Sequence, residues 1–222
     1  MNTLDAKRLQ AELAEKVISS DDIESGEIRS VCGFDASYSN QIAYCSAVVM
    51  QRSNSDGGFE VIEEIDHRVD KVQPYVPGLF MLREGQPALQ TIRKVKTNFQ
   101  VLLVDGHGVL HPRRCGLASY LGIMLDRPTI GVAKSLLCGT QRNDGFIEHE
   151  GQILGFALGE GSKIYVSVGH RISLRAAITV VAASLKKSEW LPEPLLLADQ
   201  KSKLLRQSDN SKNSGRVRTI AG

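Results

Sequence analysis

Two short, uninterrupted apolar runs, VLLVD at 101–105 and PTIGVA at 128–133, frame a helical stretch, GLASYLGIML, and this arrangement restricts the fold more than any other feature of the chain. A strand that is apolar at every position is buried on both faces. Two such strands joined through a helix run parallel, because a crossover returns the chain to the same end of the sheet. The upstream segments read differently. VCGFDAS, IAYCSAVVM and FEVIEEIDHRV are strand-like, with turn formers between them at Tyr38–Asn40 and in SNSDGG at 53–58. Short turns between neighbouring strands predict an antiparallel meander. The expected architecture is α/β: a mixed central sheet, antiparallel meander plus parallel strands, flanked by helices.

The remaining elements fit around that sheet. A helix is expected over 4–17, with Leu9, Leu13 and Val17 at a spacing of four and Thr3 as its cap. Another is expected from about Glu84, with Ala88, Ile92 and Val95 on one face and Pro87 in its first turn. Residues 145–168 return to strand-like character, Ser173 caps LRAAITVVAASLKK, and a last helix covers 194–206. With 222 residues and 42% hydrophobic content, the chain suits one domain over 1–206. The small, polar residues 207–222 are expected to be a disordered tail. No apolar run approaches the ~18 residues that cross a membrane, and the N-terminus lacks a signal-peptide core, so a cytoplasmic, monomeric protein without membrane contact is expected. The four cysteines, Cys32, Cys45, Cys115 and Cys138, form no CxxC pair and sit among apolar neighbours. That excludes a thiolate zinc site and predicts buried free thiols. A net charge of +2 permits a nucleic-acid partner without arguing for one.

Three acids sit where acids are costly unless used. Asp35 lies inside VCGFDAS, Asp105 ends VLLVD, and Glu84 follows the PYVPGLF loop. Carboxylates on neighbouring strands repel at a few ångströms unless a cation neutralises them, and oxygen-only donors favour Mg2+ or Mn2+ over zinc. Taken singly, each acid is equally a cap or a turn former, so the surrounding motifs carry the case. DGHGVLHPRRCGLAS combines Gly106, His111 and Gly116 with Arg113 and Arg114, which can meet phosphate oxygens. It is neither a P-loop nor a nicotinamide-cofactor fingerprint. Lys134 ends the second apolar strand, so its tip should reach the same end of the sheet as Asp105. His170 and Arg171 stand just before a helix, whose N-terminus favours phosphate. PYVPGLF presents Tyr75 and Phe80 on a loop stiffened by Pro74 and Pro77, a form suited to entering a base stack or to plain packing.

Four segments, GFDASY, PYVPGLFMLREG, DGHGVLHPRRCGLASYLG followed by PTIGVAKSLL, and GHRISL, appear in an order that resembles endonuclease V, the deoxyinosine-specific repair nuclease family, over roughly residues 30–200. The resemblance implies a ribonuclease H-like fold. It implies metal-dependent hydrolysis of the second phosphodiester bond 3′ to a deaminated base in DNA, leaving 3′-hydroxyl and 5′-phosphate ends. The cofactor implied is Mg2+, with Mn2+ as a substitute. By similarity Asp35, Glu84 and Asp105 hold the metal, and Lys134 and His170 assist catalysis. Tyr75 with Pro77 forms a strand wedge, and Phe80, Gly106, His111 and Gly116 form the pocket for the flipped base. Arg113 and Arg171 are the expected phosphate contacts. Inosine-containing RNA is the alternative substrate, and a non-cutting lesion binder the alternative class. One departure stands out: some members carry an aspartate where this chain has Arg175, which leaves a fourth carboxylate without an expected source.

Overall fold

A computed structural model of the protein describes residues 3–21, 25–53, 58–159, 163–186 and 189–218. Strands β1 (Ser30–Ser39), β2 (Ile42–Arg52) and β3 (Phe59–Asp70) pair antiparallel in sequence order. The hairpin between β1 and β2 turns on Asn40, whose φ of 54° suits a short polar residue. The turn expected at 53–58 lies mostly outside the described residues. Strand β4 (Val101–Asp105) pairs parallel with β1, and β5 (Thr129–Ala133) pairs parallel with β4. Strands β6 (Thr140–Gln141), β7 (Phe146–His149), β8 (Gln152–Leu158) and β9 (Ile164–His170) form an antiparallel extension. It joins β5 through β9, also antiparallel. The described sheet has nine strands in the order β3-β2-β1-β4-β5-β9-β8-β7-β6. The mixed sheet read from the sequence is the one observed.

Helices cover both faces. On one side lie α1 (Thr3–Ala14), α2 (Phe80–Ile92) and α3 (Leu117–Leu125), packed with Phe34, Leu102 and Val104. On the other lie α4 (Leu174–Ala183) and α5 (Glu193–Arg218), packed with Val31, Leu103 and Val132. Leu102 and Leu103 therefore enter opposite layers, as the twofold alternation of a strand requires, and both are fully buried. Gly33 fixes how close α5 comes. A Cβ at this position would meet the Pro194 carbonyl at 2.3 Å, so β1 and the start of α5 touch through backbone. That contact brings α5 alongside Asp35, two residues further on the same face.

Several boundaries differ from the sequence expectation. Helix α2 starts at Phe80, a full turn before Glu84. The cause is a tight turn just upstream: Leu79 N–H donates to the Val76 carbonyl at 2.9 Å across Pro77 and Gly78, and Gly78 has φ 72°. Proline followed by a positive-φ glycine is the chemistry of a type II turn, and the helix begins as soon as it closes. Pro87 consequently lies inside the helix rather than in its first turn. There it leaves the Arg83 carbonyl without its usual helical partner. Helix α1 ends at Ala14, and Val17 packs into the α4–α5 layer instead of extending the α1 face. Ser173 does cap α4, accepting from Ala176 N–H at 3.1 Å, but the helix stops at Ala183, before the lysines. Helix α5 runs past 206, where the last helix was expected to end, to Arg218. Tyr44 donates its hydroxyl to Asp209 at 2.6 Å and Arg206 reaches the Tyr38 carbonyl at 3.3 Å, so contacts with β1 and β2 hold a segment of poor helical pattern. None of the described helices is long and apolar enough to cross a membrane.

Candidate active site

Parallel strands deliver their C-terminal ends to one edge of the sheet. Asp105, the last residue of β4, and Lys134, immediately after β5, meet there, with Lys134 Nζ 2.5 Å from Asp105 Oδ2. Asp35 joins from β1, and Glu84 arrives from the second turn of α2. One cavity of about 190 Å³ is lined by Asp35, Phe80, Glu84, Asp105 and Lys134, together with Asp199 and Lys203 of α5. The three acids singled out in the sequence, distant along the chain, thus share a single cavity. Asp199, Ser202 and Lys203 were missed. Their segment, LLLADQKSK, reads as an ordinary amphipathic helix and carries no signal that it crosses β1. Ser202 donates to Asp35 Oδ2 at 3.0 Å, and Asp199 lies 3.5 Å from the Lys134 ammonium and 2.6 Å from that of Lys203. Asp199 supplies the fourth carboxylate that Arg175, exposed on α4, does not.

The electrostatics of this cavity are strained. Burial, then the neighbouring Asp105 charge, push the Asp35 carboxyl up to about 7 despite Lys134. Burial also drives Glu84 up to about 8, opposed by the Tyr38 hydroxyl and reinforced by Asp35 and Asp105. For Lys134, burial works against the ammonium, yet Asp105, Asp35 and Asp199 outweigh it and hold its pKa above the ordinary value. Clustered, desolvated acids of this kind resist full ionisation unless a cation joins them. Among the described residues no three acidic, histidine or cysteine side chains already stand in a clasping arrangement. The Lys134 ammonium is the cation that sits against Asp105 and Asp199. The donor set nonetheless fits a hard divalent ion: it is all oxygen, it surrounds one cavity, and two of its acids, Asp35 and Glu84, are pushed up by burial and by the Asp105 charge.

A second cavity, about 250 Å³, opens beside the first and shares Phe80, Asp105 and Lys134 with it. Tyr75, Gly106, His111 and Gly116 line it, as does His107 of the same glycine–histidine segment, with Gln10 and Leu137, which the sequence did not indicate. Tyr75 stands 53% exposed at the mouth, its ring edge-on to Phe80 at 5.6 Å. The loop that carries it is clamped from below. His111 Nδ1 accepts from Arg113 N–H at 3.1 Å, which leaves Nε2 to donate to the Gly78 carbonyl at 3.2 Å. Burial and the Arg113 charge lower His111 to about 4, so the imidazole is neutral. Arg113, expected at phosphate, instead donates to that same carbonyl at 2.5 Å and to Gln10 Oε1 at 2.6 Å. Pro77 is exposed at the turn and does not line the cavity.

His170 and Arg171 are not brought to this edge. In the β5–β9 pairing Thr129 faces His170 and Ala133 faces Tyr165, so His170 lies at the start of β5, roughly 13 Å of strand away from Ala133. There it is buried, its Nδ1 accepting from Ile18 N–H at 3.3 Å. Arg171 donates to Asp126 at 2.7 Å. All four cysteines are free as expected, but only Cys32, Cys45 and Cys115 are buried, Cys138 being half-buried; burial raises Cys45 and Cys115 to about 12.

The chain is similar to known proteins over most of its length. The endonuclease V family profile matches residues 11–200. The endonuclease V of Thermofilum pendens is 38% identical over 200 residues, covering 87% of this chain and 84% of its own. The crystal structure of endonuclease V from Bacillus subtilis superposes with a TM-score of 0.85 at 27% identity, covering 96% of this chain and 95% of that one. The endonuclease V of Ciona intestinalis, solved with a 24mer DNA containing an inosine followed by a ribo-adenosine, gives a TM-score of 0.82 at 29% identity over 92% of this chain and 97% of its own. The sheet order and these neighbours make the fold ribonuclease H-like, as the resemblance implied.

Proposed function

We propose, from the premise that this chain belongs to the endonuclease V family, that it is a Mg2+-dependent endonuclease that recognises a deaminated base in DNA and cuts the second phosphodiester bond on its 3′ side. One observation carries the reading: the acid-lined cavity and the cavity behind Tyr75 adjoin and share Phe80, Asp105 and Lys134. A base taken into the second cavity leaves its own backbone running across the first.

Asp35, Glu84 and Asp105 would hold the cation, with Asp199 beside them. Bound there, a Mg2+ or Mn2+ ion supplies a polarised phosphate and a water of lowered pKa. The protein's own groups do the rest. Tyr75 enters the duplex where the base leaves, and extrusion costs least where pairing is already weakened. Phe80 offers a ring face to the extruded base, and the loop at Gly106, His111 and Gly116 closes around its edge. Lys134 stays charged among the carboxylates, placed to meet charge that develops on the phosphate. Arg113 positions the Tyr75 loop, and His170 and Arg171 have no part in the chemistry. The enzyme acts as a monomer in the cytoplasm.

The direct test is cleavage of an oligonucleotide carrying one inosine, with Mg2+ and with chelator. Cutting in Mg2+ alone, lost in Asp105→Ala while binding survives, is the expected result. Near-normal cleavage by Asp105→Ala in Mg2+ would overturn the metal role. The Ciona relative was solved on a substrate with a ribo-adenosine after the inosine, so matched oligonucleotides with a deoxy or ribo sugar at that position belong in the same assay. A strong preference for the ribo substrate would reassign the enzyme to RNA.

A further inference from the structure

Trp190 is the chain's single tryptophan, and it is 44% exposed. One exposed aromatic needs no explanation by itself. Its location does. The Lys134 ammonium stands 5.6 Å from the centre of the Trp190 ring, within cation–π range, while the same ammonium contacts Asp105 and Asp199. The indole is therefore at the rim of the acid-lined cavity. Its neighbour Leu191 packs in the α4–α5 layer, whereas Phe80, against which Tyr75 rests, packs in the α2 layer. The residues that follow the ring are anchored. Leu191 is buried in the α4–α5 layer, and Glu193 N–H donates to the Ser184 carbonyl at 2.8 Å. Cations accompany it, for Lys134 and Lys203 line the same cavity and Lys203 is half exposed.

We propose that Trp190 is a stacking platform for a nucleobase of the cut strand on the 3′ side of the scissile phosphate. The inference rests on the nuclease reading above and extends it. If the modified base occupies the cavity behind Tyr75 and the phosphate lies over the acids, the strand leaves across Lys134 toward α5. The first apolar surface it meets there is the open part of the indole. An aromatic face beside lysines is the recurring means of holding single-stranded nucleic acid, because every base has a π-face and every linkage a charge. The two exposed aromatics would then grip the strand on either side of the bond, Tyr75 at the lesion and Trp190 beyond the cut.

Because Trp190 is the only tryptophan, its emission reports on this contact directly. The protein is titrated in chelator with an inosine oligonucleotide, and emission is followed alongside binding by anisotropy. Quenching that saturates with binding is expected. An oligonucleotide ending at the scissile position should bind without the quench. In Mg2+, Trp190→Ala should raise KM about tenfold with kcat within twofold, and Trp190→Phe should restore most of the loss. Unchanged emission in the bound protein would overturn the proposal. So would a Trp190→Ala variant that loses kcat at constant KM, since the ring would then only be supporting Lys134. The two readings fail separately: a substrate that quenches but is never cut sinks the nuclease reading, and one that is cut without quenching sinks the stacking contact.

Discussion

The β5–β9 pair carries charged side chains at both ends, and the ends differ in how well those charges are satisfied. At the start of β5, His170 is buried against the Ile18 amide, and Arg171 pairs with Asp126, whose carboxyl it holds below the usual range. At the far end, Asp35 and Glu84 are pushed up to about 7 and 8 by burial and by the Asp105 charge, and Lys134 is shared between Asp105 and Asp199, the latter also paired with Lys203. The first end is a joint, since its charged groups are paired and none is pressed against a like charge. The second end stores repulsion that a bound cation and a substrate phosphate can relieve. Strain of this sort separates a working site from a structural ion pair more reliably than residue type does.

Substitutions at the two ends should therefore separate activity from stability. Asp105→Ala should lower cleavage by roughly a thousandfold or more, the scale of several kcal/mol of lost transition-state stabilisation. Its melting temperature should hold or rise, because one repelling acid is gone. His170→Ala should do the reverse: kcat unchanged, and stability reduced by about 1–3 kcal/mol for the orphaned Ile18 amide and the lost packing. A large rate loss in His170→Ala at unchanged stability would break the comparison.

The strain also has a pH signature. Folded Asp35 and Glu84 bind protons more tightly than they do in the unfolded chain. Their contribution to the stability of the metal-free protein is complete below the unfolded carboxyl range and is lost as pH rises through about 7 to 8. Metal-free protein should thus melt lower at pH 8.5 than at about pH 6, and Mg2+ should raise the melting temperature more at the higher pH, where protons no longer compete for the oxygens. A metal-free melting temperature flat across that window would show that the two carboxyls are not raised in the folded protein. The smallest expected effect is at the cavity mouth. Tyr75→Ala should weaken binding of an inosine duplex about tenfold and of the single strand less, measured by anisotropy. Equal losses on both would argue against a wedge.

How much of this was legible in the sequence depends on how local each question was. The parallel pair was, because VLLVD and TIGVA are apolar at every position and flank a helix, and the placement of Asp105 beside Lys134 follows from it. The Tyr75 loop was legible too, since Pro77–Gly78 dictates its own turn. Helix α2 was misplaced by one turn because that turn, rather than Glu84 or Pro87, sets its start. His170 was expected at the site by the resemblance and because GHR precedes a helix, whose N-terminus favours phosphate. A strand's direction, however, is a property of its neighbours: β9 runs antiparallel to β5, so its last residue lands at the opposite edge. Helix α5 past residue 206 was illegible for a similar reason, as its hold comes from β1 and β2 rather than from its own pattern.

By itself, then, the sequence determined the family, the mixed sheet and three of the acids, because each is written in contiguous segments whose periodicity or side-chain chemistry acts over a few residues. Only the tertiary structure decided which charges meet. Gly33 lets α5 lie on β1 and deliver Asp199 and Ser202 to Asp35, the direction of β9 removes His170, and the burial of Leu191 sets Trp190 beside Lys134. Such meetings depend on strand order and on backbone approaching backbone, which link residues far apart in the chain and leave no periodic trace along it.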